Sequence, residues 1–315
     1  MDKGESFFLP APSSTVAGEV DALFNFILIA STVLFFIVVF GSIFFAIRYR
    51  RRNGKRQYTS EKAHNTKLEI IWTIIPTILV VIVFFWGFST YLKMHVVPKD
   101  ALQIKATGQK WFWQFEYKDG ASSTNELVVP VGKPVEITLS STDVIHSFYV
   151  PNFRIKMDAL PNRYTKTWFE ATQEGTFDLF CAEYCGTGHS KMIGTVKVVS
   201  EREYDEWLEN NAISGEGLSL VELGEKLYTS KACNTCHSID GTPNTGPTFQ
   251  GIFGRQEKLQ DGTDITADEN YIRESILNPQ AKIVSGYQPV MPTYQNILKD
   301  REVDALVEYL KTLSN

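Results

Sequence analysis

The four cysteines of this 315-residue chain fall into two tight pairs, Cys181 with Cys185 and Cys233 with Cys236. Paired cysteines in an oxidising compartment can close disulfides, and that reading stands for both pairs. Each pair also has a histidine close by, His189 and His237. An imidazole beside paired thiols makes metal ligation the stronger reading.

The first pair lies in Cys181-Ala182-Glu183-Tyr184-Cys185-Gly186-Thr187-Gly188-His189-Ser190-Lys191-Met192, and a second imidazole is carried upstream by Asp143-Val144-Ile145-His146-Ser147-Phe148. Two thiolates, two imidazoles and a thioether form a soft set that suits copper better than magnesium or calcium. Cysteines four apart on one loop can place both sulfurs between two metal ions. A closed zinc site has no use for the methionine.

The second pair reads Cys233-Asn234-Thr235-Cys236-His237, the C-x-x-C-H spacing that attaches c-type haem, with the histidine as an iron ligand. A CxxC disulfide or zinc knuckle is the bland alternative. The histidines are at 64, 95, 146, 189 and 237, so the last 78 residues hold none, and their only methionine is Met291, between Pro289 and Pro292. If two side chains of the usual kinds hold the iron, Met291 is the remaining choice.

These residues must be held by something. From Leu102 the chain runs in short β-branched and aromatic segments such as LQIKATGQKWFWQFEY and GTFDLFC, punctuated by Gly, Pro and Asn, which predicts a compact antiparallel β-sandwich or barrel. After Asn210, Ser214-Gly215-Glu216-Gly217 reads as a flexible linker, and helical periodicity resumes at Leu220. Such a linker spans about 10–12 Å as a random coil and holds its domain at an effective concentration on the order of millimolar. Leu23–Ile47 and Ile70–Tyr91 are free of charge and long enough to cross a bilayer, with Pro76 predicting a kink in the second. Between them, Arg48–Lys67 holds eight Lys/Arg against Glu61 alone, which places that loop in the cytoplasm and both termini outside. No cleaved signal peptide is expected, because the first 20 residues lack an apolar core with a cleavage site. Residues 1–92 carry nine Lys/Arg against six Asp/Glu, 93–211 carry 13 against 16, and 218–315 carry nine against 13. A basic start and two mildly acidic parts fit an anchor with two extramembrane domains and no nucleic-acid partner.

The expected organisation is an external tail (1–22), a transmembrane hairpin (23–92; helices about 23–47 and 68–92, loop 48–67), a β-domain (93–211), a linker (212–217) and a C-terminal domain (218–315). C-x-E-x-C-G-x-x-H-x-x-M with the upstream D-V-x-H-S-F resembles the CuA domain of subunit II of haem–copper oxidases. GQKWFWQFEY and LEIIWTIIP are similar to that family's aromatic stretch and second helix. The last segment resembles a small class I cytochrome c, with an N-terminal helix over Leu220–Ser230 and a final helix from about Asp300 to Thr312. Taken together, the chain resembles subunit II of caa-type cytochrome c oxidases.

The resemblance implies a multidomain membrane protein with a two-helix hairpin, a cupredoxin-like Greek-key CuA domain and an all-α cytochrome c domain. It implies that Cys181 and Cys185 bridge two coppers, His146 and His189 each cap one, Met192 is a weak ligand and the Glu183 carbonyl another. The Glu183 side chain would reach magnesium at the border with the large subunit. Haem c would be bound to Cys233 and Cys236, with His237 and Met291 on the iron. Trp111 would mark where electrons come in, and Glu69 an acid at the mouth of a proton path. Asp158 and Arg163 would bridge to haem propionates in the large subunit. Electrons would pass from an external donor to haem, to copper and on to an oxygen-reducing large subunit, at the outer (periplasmic) face of a bacterial cell membrane. A nitric oxide reductase subunit or a free-standing anchored carrier are the alternatives. Because both outer domains are net negative, the patch where they dock should be largely uncharged, around the haem edge and Trp111. His64 and His95 carry no assigned role.

Overall fold

A computed structural model describes residues 8–50, 64–118, 120–211, 218–295 and 297–313. The expected linker and residues 51–63 of the basic loop lie outside the described residues. Helices α1 (Ala17–Arg48) and α2 (Thr66–His95) contain the two apolar runs, at 32 and 30 residues, enough to cross a hydrocarbon core about 30 Å thick. Their apolar side chains are almost all exposed on the protein's own surface, as lipid-facing groups must be. The two helices touch through Phe26 and Trp86, ring centres 5.7 Å apart, and Lys93 pairs with Glu19 at 2.6 Å. α2 continues through Pro76.

The stretch before α1 is not a free tail. Ser13 is fully buried; its N–H donates to the Asn152 carbonyl (2.9 Å) and its carbonyl accepts from Thr172 N–H (3.0 Å). Ser14 bridges to Ala171 in antiparallel fashion, and its hydroxyl donates to the Phe153 carbonyl. Beside this strap, Arg154 donates to both oxygens of Asp21 (2.7 and 3.0 Å) and to the carbonyls of Pro10 and Pro151. α1 therefore starts six residues before the apolar run, on a segment already pinned to the β-domain.

The β-domain is a sandwich of two five-stranded sheets. One orders β3 (Ser122–Thr124), β2 (Phe112–Tyr117), β1 (Leu102–Gln109), β5 (Pro134–Ser141) and β8 (Thr165–Glu170). The other orders β4 (Glu126–Pro130), β10 (Ile193–Val199), β9 (Gly175–Cys181), β6 (His146–Val150) and β7 (Ile155–Ala159). Most pairings are antiparallel as expected, but β1–β5 and β4–β10 are parallel, because crossovers between the sheets bring these strands side by side. Alternating residues supply the core: Trp113, Phe115 and Tyr117 from β2 meet Phe148, Leu127, Ile137 and Leu179. Helix α3 (Glu201–Asn211), which the sequence reading did not include, caps the sandwich by setting Trp207 against Tyr117. Its start carries a Ser200/Glu203 capping box: the Ser200 hydroxyl accepts from Glu203 N–H and the Glu203 carboxylate from Ser200 N–H.

The C-terminal domain has α4 (Leu220–Ser230), the single turn α5 (Cys233–Cys236), α6 (Glu269–Leu277) and α7 (Asp300–Thr312). The terminal helices have the expected bounds. A small hairpin, β11 (Gln256–Lys258) with β12 (Asp264–Thr266), interrupts the otherwise helical domain. α4 crosses α7 at Gly224, where any Cβ would collide with the backbone of Ala305. Leu223 and Leu227 pack there with Leu306 and Leu310.

Candidate metal centres

Strand order builds the first site. Cys181 is the last residue of β9, Met192 directly precedes β10, and His146 opens β6, the other neighbour of β9. The ends are stitched by Cys181 N–H to the Met192 carbonyl (3.3 Å) and Ala182 N–H to the Ser147 carbonyl (2.9 Å). The two thiol sulfurs lie 3.8 Å apart, so they form no disulfide. His146 Nδ1 lies 3.9 Å from Cys181 Sγ, His189 Nδ1 3.5 Å from Cys185 Sγ, and Met192 Sδ 3.8 Å from Cys185 Sγ. The Glu183 carbonyl is 3.2 Å from Cys181 Sγ. His146, Cys181, Cys185 and Met192 are buried; His189 is half-buried.

Burial pushes both thiols up. Contacts with His146 and with the backbone at Glu183 and Ser147 overcome it at Cys181 and bring it to about 6. Burial and the charge of Cys181 drive Cys185 upward. The pocket thus accommodates one thiolate by itself, and a second needs compensating positive charge. Bound metal supplies that charge, and donors converging from both sides of the sulfur pair fit paired soft ions.

The second site is a cleft in the C-terminal domain with about 1230 Å³ of space out to its open mouth, lined mainly by apolar side chains together with Cys233, Cys236, His237 and Met291. His237 is aimed by three contacts: Nδ1 donates to the Pro247 carbonyl (2.7 Å), the ring stacks on Phe249 (4.2 Å), and the His237 carbonyl accepts from Tyr228 Oη (2.6 Å). With Nδ1 engaged, Nε2 is the nitrogen left to ligate. Burial pushes the His237 pKa down, which favours the neutral ligating form, and pushes the Cys233 thiol up to about 12. Conversion of these buried thiols to thioethers removes the cost of ionising them in an apolar setting. The cleft suits a large flat apolar group held at both cysteines.

Comparison with known proteins agrees domain by domain. Residues 3–90 match the family profile of the transmembrane domain of cytochrome c oxidase subunit II, 120–199 its periplasmic domain, and 221–314 cytochrome c. Cytochrome c oxidase subunit 2 of Alkalihalophilus pseudofirmus is 34% identical over 289 residues, covering 88% of this chain and 82% of that protein. The chain belongs to the cytochrome c oxidase subunit 2 family. The Bacillus subtilis subunit 2 is 30% identical, covering 89% of this chain and 82% of its own. The crystal structure of the periplasmic domain of subunit II from Bradyrhizobium japonicum is 37% identical, covering 37% of this chain and 96% of that one, with a TM-score of 0.36. As a subunit 2 with a cytochrome c domain, the chain is a membrane-anchored component of an oxidoreductase complex whose cofactors are copper and haem.

The other residues singled out in this subunit 2 are spread around the two sites. Trp111 lies on the copper-side loop: Nε1 donates to the Cys185 carbonyl (3.2 Å), and the indole lies so close to Gly188 that any side chain there would collide with it. The Glu183 side chain is exposed, as is Arg163. Asp158 accepts from the Ser147 hydroxyl (2.7 Å) and Lys156 (3.2 Å). Glu69 accepts from Asn65 N–H (3.1 Å) at the start of α2, a local capping contact. His95 stacks on Tyr91, and His64 is exposed.

Asp143 stands three residues before His146 in the D-V-x-H-S-F motif, and the structure gives it a role. It accepts from His146 Nε2 (2.8 Å), Lys110 N–H (2.9 Å), Val144 N–H (2.6 Å) and the Ser141 hydroxyl (3.3 Å). It fixes the ring that presents Nδ1 to the sulfurs. A carboxylate three residues before a ligand histidine was the available signal.

Proposed function

We propose that this chain is the electron-accepting subunit of a caa-type cytochrome c oxidase, taking electrons from an external donor and delivering them to a separate oxygen-reducing large subunit. In this reading Cys181, Cys185, His146, His189, Met192 and the Glu183 carbonyl hold paired copper. Cys233 and Cys236 would hold haem c covalently, and His237 and Met291 would supply the side-chain donors to its iron. When bound, these groups supply one-electron redox chemistry. The observation that carries the reading is the convergence of two sulfurs, two imidazole nitrogens and a thioether in one pocket, in the same chain as a C-x-x-C-H turn that opens on an apolar cleft.

The residues have defined tasks. Asp143 takes the Nε2 proton of His146 into a hydrogen bond and leaves Nδ1 free. Pro247 does the same in mirror fashion for His237, leaving Nε2. Cys185, Met192 and His146 are buried, so solvent is kept from the donor atoms, and the stitched ends of β9 and β10 hold their spacing through a change of charge. Met291 lines the same cleft as His237 and would be the second side chain to reach the iron.

The basic loop is assigned to the cytoplasm, which puts both folded domains outside, because they follow α2. The exposed Glu183 side chain, with a magnesium ion as its expected partner, and Asp158 and Arg163 are assigned to the border with the large subunit; Glu69 is assigned to a proton path there. Trp111 is the assigned point of electron arrival on the copper domain.

Metal analysis and absorption spectroscopy of the isolated chain test the reading: paired copper with a near-infrared band and one covalent haem per chain are expected. A co-purifying many-helix subunit that consumes oxygen identifies the complex. A chain whose cysteine pairs are both oxidised to cystine, without metal, overturns it.

A further inference from the structure

Phe112 breaks the alternation of its strand. In β2, Trp113, Phe115 and Tyr117 face the core of the sandwich, so Phe112, Gln114 and Glu116 face outward. Glu116 is exposed there and pairs with Lys105 of β1. Phe112, on that same outer face, is only 3% exposed, yet it belongs to neither hydrophobic core. Its cover is the C-terminal domain: Phe112 lines the cleft that holds Cys233, Cys236 and His237.

A hydrogen bond joins the same surfaces. Thr124, opposite Gln114 in the β2–β3 register and so on the same face, donates its hydroxyl to the Ser230 carbonyl at the end of α4 (2.9 Å). The two sites therefore meet across the outer face of β2 and β3.

We infer that Phe112 is the positioning residue that seats the cytochrome domain on the copper domain, its ring completing the wall of the haem cleft while its chain neighbour Trp111 bonds to the Cys185 carbonyl. This deepens the proposed function and rests on it for the identity of the two centres. One peptide unit then separates a side chain in the cleft wall from a side chain on the metal loop. The seat is apolar at its centre, so tethering and fit hold it in place of charge attraction. What sets this ring apart is its cover: at a solvent-side strand position it is almost wholly buried, and the second domain supplies the burial.

The test uses the full chain, loaded with copper and haem in detergent, as wild type and as Phe112→Asp, Phe112→Leu, Phe112→Tyr and Thr124→Val. Amide hydrogen exchange at residues 112–124 and 228–237 reads the seat directly, independent of any redox activity. A pulse of photoreductant then reads the transfer of one electron from reduced haem to the oxidised copper pair. Phe112→Asp should raise exchange on both faces and slow transfer by about tenfold or more, the equivalent of about 1.4 kcal/mol of lost docking. Phe112→Leu and Thr124→Val should fall between, and Phe112→Tyr should match the wild type. Covalent haem content and copper content should not move. Unchanged exchange and unchanged transfer in Phe112→Leu and Thr124→Val, with both centres loaded, overturn the inference even if Phe112→Asp fails to fold. A wild-type chain that takes up no copper or no haem overturns the proposed function instead, and the exchange measurement on the seat still stands.

Discussion

Removing the Asp143 carboxylate should weaken copper binding by about 10–100-fold, the usual effect of losing an outer partner of a ligand histidine. That corresponds to about 1.4–2.8 kcal/mol. The structure shows why the loss is not cosmetic. Oδ1 takes His146 Nε2 and Val144 N–H, while Oδ2 takes Lys110 N–H. In Asp143→Ala the fully buried His146 ring keeps a donor with no acceptor, a cost of about 1–3 kcal/mol by itself. Asp143→Asn cannot repair this, because whichever way the amide is turned its NH2 faces an N–H donor. Burial pushes the Asp143 carboxyl up, but the hydrogen bonds from His146, Lys110 and Val144 outweigh it, so the group titrates below its ordinary range. Its stabilisation of the metal-free domain is therefore complete above that range and is lost as pH falls through the lowered value; Asp143→Asn should flatten this acid limb. Copper competition against a chelator, followed in the near-infrared band, measures the affinity, and thermal unfolding of the metal-free chain measures the domain. Wild-type copper affinity in a folded Asp143→Ala chain would refute the role assigned to this carboxylate.

Four further outcomes follow from the same geometry. Cys185→Ser should abolish the near-infrared copper absorption and leave the haem bands intact, as read in one absorption spectrum. Met291→Ala should leave haem attached but lower its potential and open the iron to added ligands, measured by redox titration and by carbon monoxide binding. Haem-to-copper transfer should change little between low and high salt, since the seat is apolar at its centre; a many-fold slowing at high salt would count against that seat. Tyr117→Phe should destabilise the sandwich by about 1–3 kcal/mol in a denaturant titration, because the phenol both accepts from Val128 N–H (2.8 Å) and donates to the Val128 carbonyl (3.1 Å) in a buried setting.

Much of this architecture is legible in the sequence, and what is legible has a physical pattern. The Cys181–Met192 ligand loop is contiguous, so its residue types announce themselves; only His146 comes from elsewhere, and it brings a recognisable neighbourhood. Helix α4 is bounded by a Ser219/Glu222 capping box and helix α7 by regular apolar spacing, so both ends could be placed. The strap before α1 could not. Its Pro-Ala-Pro-Ser-Ser run reads as loop, and the groups that hold it, Asn152, Phe153 and Thr172, are well over a hundred residues away. Asp143 was visible but mute, because its role depends on which nitrogen of His146 points inward. Phe112 was hidden by strand alternation, which puts it in solvent unless the second domain is present. Trp111, expected in the docking patch, bonds to the Cys185 carbonyl, while its neighbour Phe112 lines the cleft of the C-terminal domain.

The strap also decides how the copper domain can move. A globule attached to a membrane by one stalk is free to spin on it. This one is gripped twice, through Ser13, Ser14 and the Arg154–Asp21 clasp at one helix and through the short stretch from His95 to Leu102 at the other. Two anchor points define an axis and remove the swivel about either. A Gly-Ser insertion in that short stretch would therefore buckle outward and leave the β-domain held to α1 as before, so its placement is insulated from small changes in hinge length.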